Sequence, residues 1–197
     1  MNFTSNLLAL VGHGDNLNFS QKKLVIWDTM INMGITEMQF KSKINKVKMN
    51  FEYIMIATKD HIFVNLVDQF KDQIKIKSEN HLSRIVLSPF TVNPYLLYSD
   101  NNYDGELLVY DLVKQKCINT IRCHEKPILT VAINLYGNMV ATSSTFGQMI
   151  RVFSVPKGEK LFTFNRGINI STMYSLNFSN DSSFLMSSSD TGTIHVF

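Results

Sequence analysis

One guanidinium stands out among the residues able to do chemistry: Arg166, in the run Phe164-Asn165-Arg166-Gly167. On each side of it stands a small-polar turn with a basic or imidazole residue close behind. These are Ser143-Ser144-Thr145 with Arg151, and Ser188-Ser189-Asp190 with His195. Arg presents a planar fork of always-charged donors, and hydroxyl and imidazole groups extend that fork into a shell suited to phosphate oxygens. The spacing therefore points to anion binding at a joint between two copies of one strand pattern. Taken alone, a single Arg at a strand-connecting turn also fits a solvated or ion-paired surface residue, so the surrounding frame has to decide.

Other chemistries lack their residues. His, Asp and Ser are all present, yet no nucleophile elbow, metal-ligand spacing or phosphate-cradling glycine loop occurs. Gly12-His13-Gly14 reads as a turn, and Trp27-Asp28 and Tyr110-Asp111 read as turn and packing signatures at strand ends. No catalytic residue, metal or cofactor is expected. The 197 residues are 45% hydrophobic and 18% charged, a balance that suits a folded chain. A net charge of +3 is compatible with anionic membranes and too weak to argue for nucleic acid. Cys117 and Cys123 make neither a disulfide framework nor a zinc pattern and read as reduced strand cysteines. Residues 1–10 lack the basic start and long apolar run of a secretion signal, and no apolar run approaches the ~20 residues needed to span a bilayer. Membrane contact, if any, is expected to be peripheral.

The positioning frame is a repeat. A compact apolar strand recurs as Leu24-Val25-Ile26-Trp27, Ile62-Phe63-Val64-Asn65, Leu107-Leu108-Val109-Tyr110, Ile150-Arg151-Val152-Phe153 and Ile194-His195-Val196-Phe197. Its closing residue falls at 27, 65, 110, 153 and 197, so successive separations are 38, 45, 43 and 44. Strands at a period of about 40–45 residues are the propeller signature. Around each repeated strand stand further short apolar strands, making four per unit, with no convincing amphipathic helix. The expectation is one all-β partial propeller over 1–197, with approximate blades 1–40, 44–78, 82–122, 128–165 and 172–197. The first unit lacks a full opening strand and the last stops at its third. A ring cannot close on that count, so a fragment with open edges, prone to aggregate, is expected. The lysines from Lys41 to Lys48 read as a solvated strand edge, with a weak membrane-facing patch as the alternative.

Three stretches carry a resemblance. Asn6-Leu7-Leu8-Ala9-Leu10-Val11-Gly12 with Lys23-Leu24-Val25-Ile26-Trp27-Asp28 resembles the second blade of the PROPPIN family, the WIPI-type seven-bladed propellers. Asn134-Leu135-Tyr136-Gly137, Ala141-Thr142-Ser143-Ser144 and Ile150-Arg151-Val152-Phe153 are similar to its fifth. The run from Ser188 to Phe197 is similar to its sixth. The resemblance implies binding of phosphatidylinositol 3-phosphate and phosphatidylinositol 3,5-bisphosphate at two rim pockets, one on each side of a Phe-Arg-Arg-Gly motif. It also implies a cytoplasmic protein recruited peripherally to autophagosomal, endosomal or vacuolar membranes, with lipid-transfer or conjugation factors of autophagy as partners.

By position, His124, Ser144 and Gln148 fall at the first pocket, where Asn165 replaces the first motif arginine. Arg166, Ser189, Thr193 and His195 fall at the second. Gln148 stands where the family has threonine, and His13 interrupts a glycine run. The family's membrane-inserting loop follows the third strand of blade six, beyond Phe197. A charge-assisted hydrogen bond contributes about 1.5–3 kcal/mol, so losing one arginine weakens the first pocket roughly 10- to 100-fold. Alternation leaves a second role open for each histidine: His195 packed between blades on a hydroxyl, and His124 tying its strand to the next blade. Arg151, inside an apolar strand, is expected to bond a carboxylate or carbonyl at a blade edge. A propeller scaffold with little or no lipid affinity is the competing function.

Overall fold

The structure is a computed structural model that describes residues 6–14, 20–70, 72–78, 84–90, 92, 94–100 and 105–197. It divides into two compact units, residues 1–81 and 82–197. In the first unit, β1 (Leu7–Val11), β2 (Lys23–Asp28) and β3 (Met33–Gln39) form one sheet. A second sheet is made by β4 (Ile44–Met49), β5 (Tyr53–Thr58), β6 (His61–Leu66) and β7 (Asp72–Lys77). The second unit holds three sheets. The first is β8 (Ile85–Leu87), β9 (Tyr95–Tyr98), β10 (Glu106–Asp111) and β11 (Lys116–Arg122). The next is β12 (Ile128–Ile133), β13 (Met139–Ser144), β14 (Met149–Ser154) and β15 (Lys160–Asn165). The last is β16 (Met173–Phe178), β17 (Leu185–Ser189) and β18 (Ile194–Val196). Each sheet is an antiparallel meander in chain order, the blade of a β-propeller. The strand expected from Leu82 to Ser88 begins outside the described residues and is represented by β8.

The repeated closing residue has a structural meaning. In all four sheets that pair a third strand with a fourth element of this type, the register shifts at it: Ile26/Trp27, Val64/Asn65, Val109/Tyr110 and Val152/Phe153. An extra residue there bends the outer pair and increases its twist. The period legible in the sequence is thus the period of a bulge.

Burial falls from the inner strands to the outer one. In the sheet β12–β15, five of the six residues of β13 are buried, β14 alternates with Ile150 and Val152 inward, and β15 is exposed along nearly its whole length. Two apolar layers hold the second unit. Val86, Leu97, Leu107, Val109, Ile128 and Val140 belong to one, shared by β8–β11 and β12–β15. Ala141, Ile150, Val152, Met173, Leu176 and Leu185 belong to the other, shared with β16–β18. In the first unit Leu24, Ile26, Ile54 and Ile56 fill the equivalent layer. The lysines near β4 are not uniformly solvated: burial, with Lys48 beside it, pushes the Lys46 ammonium down to about 8.

Leu107 is fully buried at the centre of its layer. Leu107→Ala is expected to cost about 2–5 kcal/mol, because the cavity collapses only in part. A urea midpoint lowered without a change in slope checks this.

Candidate anion-binding site

Arg166 follows β15 directly, so it leaves the exposed edge of its sheet and enters the connection to β16. The turn between β13 and β14 grips that connection. Arg166 N–H donates to Gln148 O (2.8 Å), and Ser171 N–H donates to Phe146 O (3.0 Å). The Gln148 amide donates to Ile168 O. The two backbones are closest at Gly147, which has a φ of 63° and where a Cβ would lie 1.9 Å from Ser171 O. Both the left-handed conformation and the contact exclude any side chain.

The Arg166 side chain lies within this junction and is 8% exposed. Its Nε–H donates to Gly147 O (2.6 Å) and its Nη2 to Asn169 O (2.6 Å). Neither the Lys23–Glu37 nor the Lys114–Asp111 ion pair involves Arg166. Carbonyl dipoles orient and partly solvate the guanidinium, but they do not neutralise it. The nearby Asp190 carboxylate is engaged elsewhere. It accepts from Ser171 Oγ–H (2.6 Å) and Thr172 N–H (3.1 Å). Those two bonds, with the Arg166 charge as a smaller contribution, hold the Asp190 carboxyl below the usual carboxylate range. Asp190 therefore latches the far end of the loop rather than pairing with the arginine.

The second-pocket residues form one row. Ser189 Oγ lies 2.9 Å from Thr191 Oγ1, which lies 3.0 Å from Thr193 Oγ1, which lies 3.1 Å from His195 Nε2. Each hydroxyl can donate one hydrogen and accept others, and the roles at the His195 end depend on its tautomer. The imidazole is itself stacked: His195 on Phe197 (6.1 Å, 7°), and Phe197 on Phe164 (4.8 Å, 20°), two residues before Arg166. The Asp190 latch ties the end of β17 to the loop that follows Arg166, and the aromatic stack ties β18 to β15.

The four residues expected at the first pocket carry no formal charge near pH 7. Asn165 is exposed, and its Oδ1 accepts from Gly167 N–H (3.0 Å). Ser144 is buried and its carbonyl accepts from Gly147 N–H (3.0 Å). Gln148 spends its amide on the Ile168 carbonyl. His124 lies deeper, 6% exposed, with Nε2 3.1 Å from Thr142 Oγ1 on β13 of the next sheet. Burial, with the adjacent Arg151 charge, pushes its imidazole down to about 4, so it is neutral near pH 7. Arg151 finds a carbonyl partner, Cys123 O (2.6 Å). The residues alone placed Asp190 in a flanking turn without its bonds to Ser171 and Thr172, and they gave no role to Thr191, Gly147 or Ser171. Thr191 was within reach, since it alternates with Ser189 and Thr193; the other three act across sheets and leave no pattern.

The sequence profile described as PROPPIN matches residues 2–197. The chain belongs to the PROPPIN family. Autophagy-related protein 18 of Dictyostelium discoideum is 34% identical across the whole chain, which covers 53% of that relative. Autophagy-related protein 18e of Arabidopsis thaliana is 30% identical, again across the whole chain and 53% of the relative. The chain thus spans about half the length of the curated relatives it matches. Among solved structures, Kluyveromyces lactis Hsv2 superposes with a TM-score of 0.86 at 26% identity, covering 100% of this chain and 60% of that one. A complex of KlAtg21 with the coiled-coil of AgAtg16 gives 0.86 at 28% identity, over 99% of this chain and 64% of that one.

Two outcomes follow from the PROPPIN junction. Gly147→Ala is expected to destabilise the unit by roughly 1–3 kcal/mol, since the new methyl must displace the Ser171 carbonyl and adopt a positive φ; chemical denaturation measures it. His124 gives a pH signature. Between about pH 6.5 and 4 the unfolded chain binds a proton at His124 that the folded chain does not, so stability falls as pH drops through that window. The slope expected is about 1 kcal/mol per pH unit, absent above pH ~6.5. His124→Gln, which keeps a partner for Thr142, should flatten this part of a denaturation profile.

Proposed function

We propose that this PROPPIN chain reads 3-phosphorylated phosphoinositides, phosphatidylinositol 3-phosphate and 3,5-bisphosphate, as a peripheral membrane scaffold in autophagy and endosomal or vacuolar traffic. One observation carries the reading: Arg166 is a buried guanidinium bonded to two carbonyls, with Asp190 nearby but engaged by Ser171 and Thr172. Burying an unpaired charge is costly, and a ring phosphate would relieve that cost with charge-assisted bonds. In this reading Arg166 clamps the phosphate, and Ser189, Thr193 and His195 complete its shell. The first pocket, with His124, Ser144, Gln148 and Asn165, offers hydrogen bonds and no charge, so it contributes less. The protein binds rather than catalyses. It works in the cytoplasm and on autophagosomal, endosomal or vacuolar membranes, alongside lipid-transfer or conjugation factors.

A second reading, a protein-interaction propeller with weak or no lipid binding, draws support from that uncharged first pocket. The related KlAtg21 is seen with a coiled-coil of AgAtg16, and a coiled-coil partner suits either reading.

Liposome sedimentation separates them. Arg166→Ala should lower binding to vesicles containing phosphatidylinositol 3-phosphate about 10- to 100-fold, the value of a charge-assisted contact. Asn165→Arg should raise it by a comparable factor. Unchanged binding in both variants would sink the lipid reading and leave the scaffold.

A further inference from the structure

The first unit holds a cavity that takes no part in the anion site described above. It measures about 500 Å3 and lies where the end of β3 faces β6 and β7. A volume of that size suits a small organic ligand rather than one or two waters. Met38 and Phe40 from the end of β3, Phe63 from β6 and Phe70 from the loop after β6 supply its apolar lining. Three of its rings form a row. Phe40 and Phe63 lie 5.0 Å apart between centroids, tilted by 58°, and Phe63 and His61 lie 5.9 Å apart, tilted by 37°. Phe70 keeps its place in the wall with a φ of 49°, a left-handed conformation that is costly for so bulky a residue.

The polar side of the cavity is biased to one sign. Lys41, Lys75 and His61 line it, and no carboxylate is among the described residues that do. The Lys75 ammonium stands 5.5 Å from the Phe63 ring centroid, directly over the apolar lining. Asp60, next to His61 in the chain, accepts from the Ser42 hydroxyl (2.9 Å). The bias is felt at His61: burial, with Lys75, Lys77 and Lys41 acting against the opposing pull of Asp60, holds its imidazole below the usual histidine range.

We propose that this cavity binds a small aromatic anion: an aryl carboxylate whose ring extends the Phe40–Phe63–His61 row and whose charge meets Lys41 and Lys75. Aromatic rings pack best in tilted or offset arrangements, and the row already has that geometry. A carboxylate accepts charge-assisted bonds from ammonium groups, and its charge complements the sign of the lining. Neither half suffices alone. A neutral ring leaves the two lysines unanswered, and a bare anion leaves the phenylalanines wet. The site is independent of the headgroup reading, since no residue of the second unit takes part in it.

The test titrates the chain with naphthylacetate, with its neutral amide naphthylacetamide, and with acetate, following the His61 ring by NMR and the affinity by calorimetry. Naphthylacetate is expected to bind and to raise the pH midpoint of His61, because a bound negative charge favours the imidazolium. The amide should bind roughly 10-fold more weakly or less, and acetate should leave His61 unmoved. Lys41 and Lys75 are both exposed, so Lys41→Gln/Lys75→Gln leaves the packing intact. That variant should lose roughly 10- to 100-fold in affinity for naphthylacetate and nothing for the amide, a split that a merely unfolded variant would not give. Equal affinity for acid and amide overturns the proposal, as does a double variant that binds naphthylacetate unchanged. A shift of His61 by acetate equal to that by naphthylacetate overturns it too, since the site would then take any anion. So does a cavity that takes an acidic peptide but no free acid, because a polypeptide would then be the occupant.

Discussion

The second unit turns on the contact between the Gly147 backbone and the loop that leaves β15. Two chain segments meet there without an intervening side chain, so carbonyls from both can converge on one guanidinium. The Arg166 bonds to Gly147 O and Asn169 O, at 2.6 Å each, are available only because these backbones approach so closely. A long cationic side chain loses roughly 2 kcal/mol of rotamer freedom when it is fixed in this way. In exchange the charge is held in one orientation, the kind of preorganisation that would favour affinity for an anion.

The same contact explains why the two sides of the arginine differ. On the β17–β18 side, Asp190 is a potential competitor for the guanidinium, yet its oxygens are occupied by Ser171 and Thr172. The carboxylate stiffens the loop without cancelling the charge. On the β13–β14 side, Asn165 turns its Oδ1 back onto Gly167 and Gln148 turns its amide onto Ile168. Both side chains reinforce the loop with hydrogen bonds that leave less for a ligand. His124 is buried and neutral near pH 7. One side therefore keeps a charge and a row of hydroxyls, and the other has become mostly structural support for it.

Much of this was legible in the residues. The 38-to-45-residue spacing of closing residues marks a recurring bulge. Arg151, inside an apolar strand, was expected to bond a carboxylate or a carbonyl, and its partner is the Cys123 carbonyl. The tie from His124 to the next sheet was one of the two roles open to it, and its partner is Thr142. What the residues did not show is the pairing of Ser171 with Asp190, which spans 19 residues. That distance is not a strand or turn period, so no local pattern encodes it. Gly147 reads as one more turn glycine until the Ser171 carbonyl is seen 1.9 Å from where its Cβ would stand. Lys46 is a similar case. Its alternation with neighbouring lysines suggests a solvated edge, and only the packing around β4 reveals a partly buried ammonium.

The hydroxyl row shows why the site has to be considered as a unit rather than as a set of contacts. Ser189, Thr191, Thr193 and His195 are joined end to end, so the donor or acceptor role of one member bears on its neighbour's. Removing Thr191 would uncouple the two ends while leaving both terminal residues in place. The stack of His195 on Phe197 and of Phe197 on Phe164 ties the row to β15, the strand that ends just before Arg166.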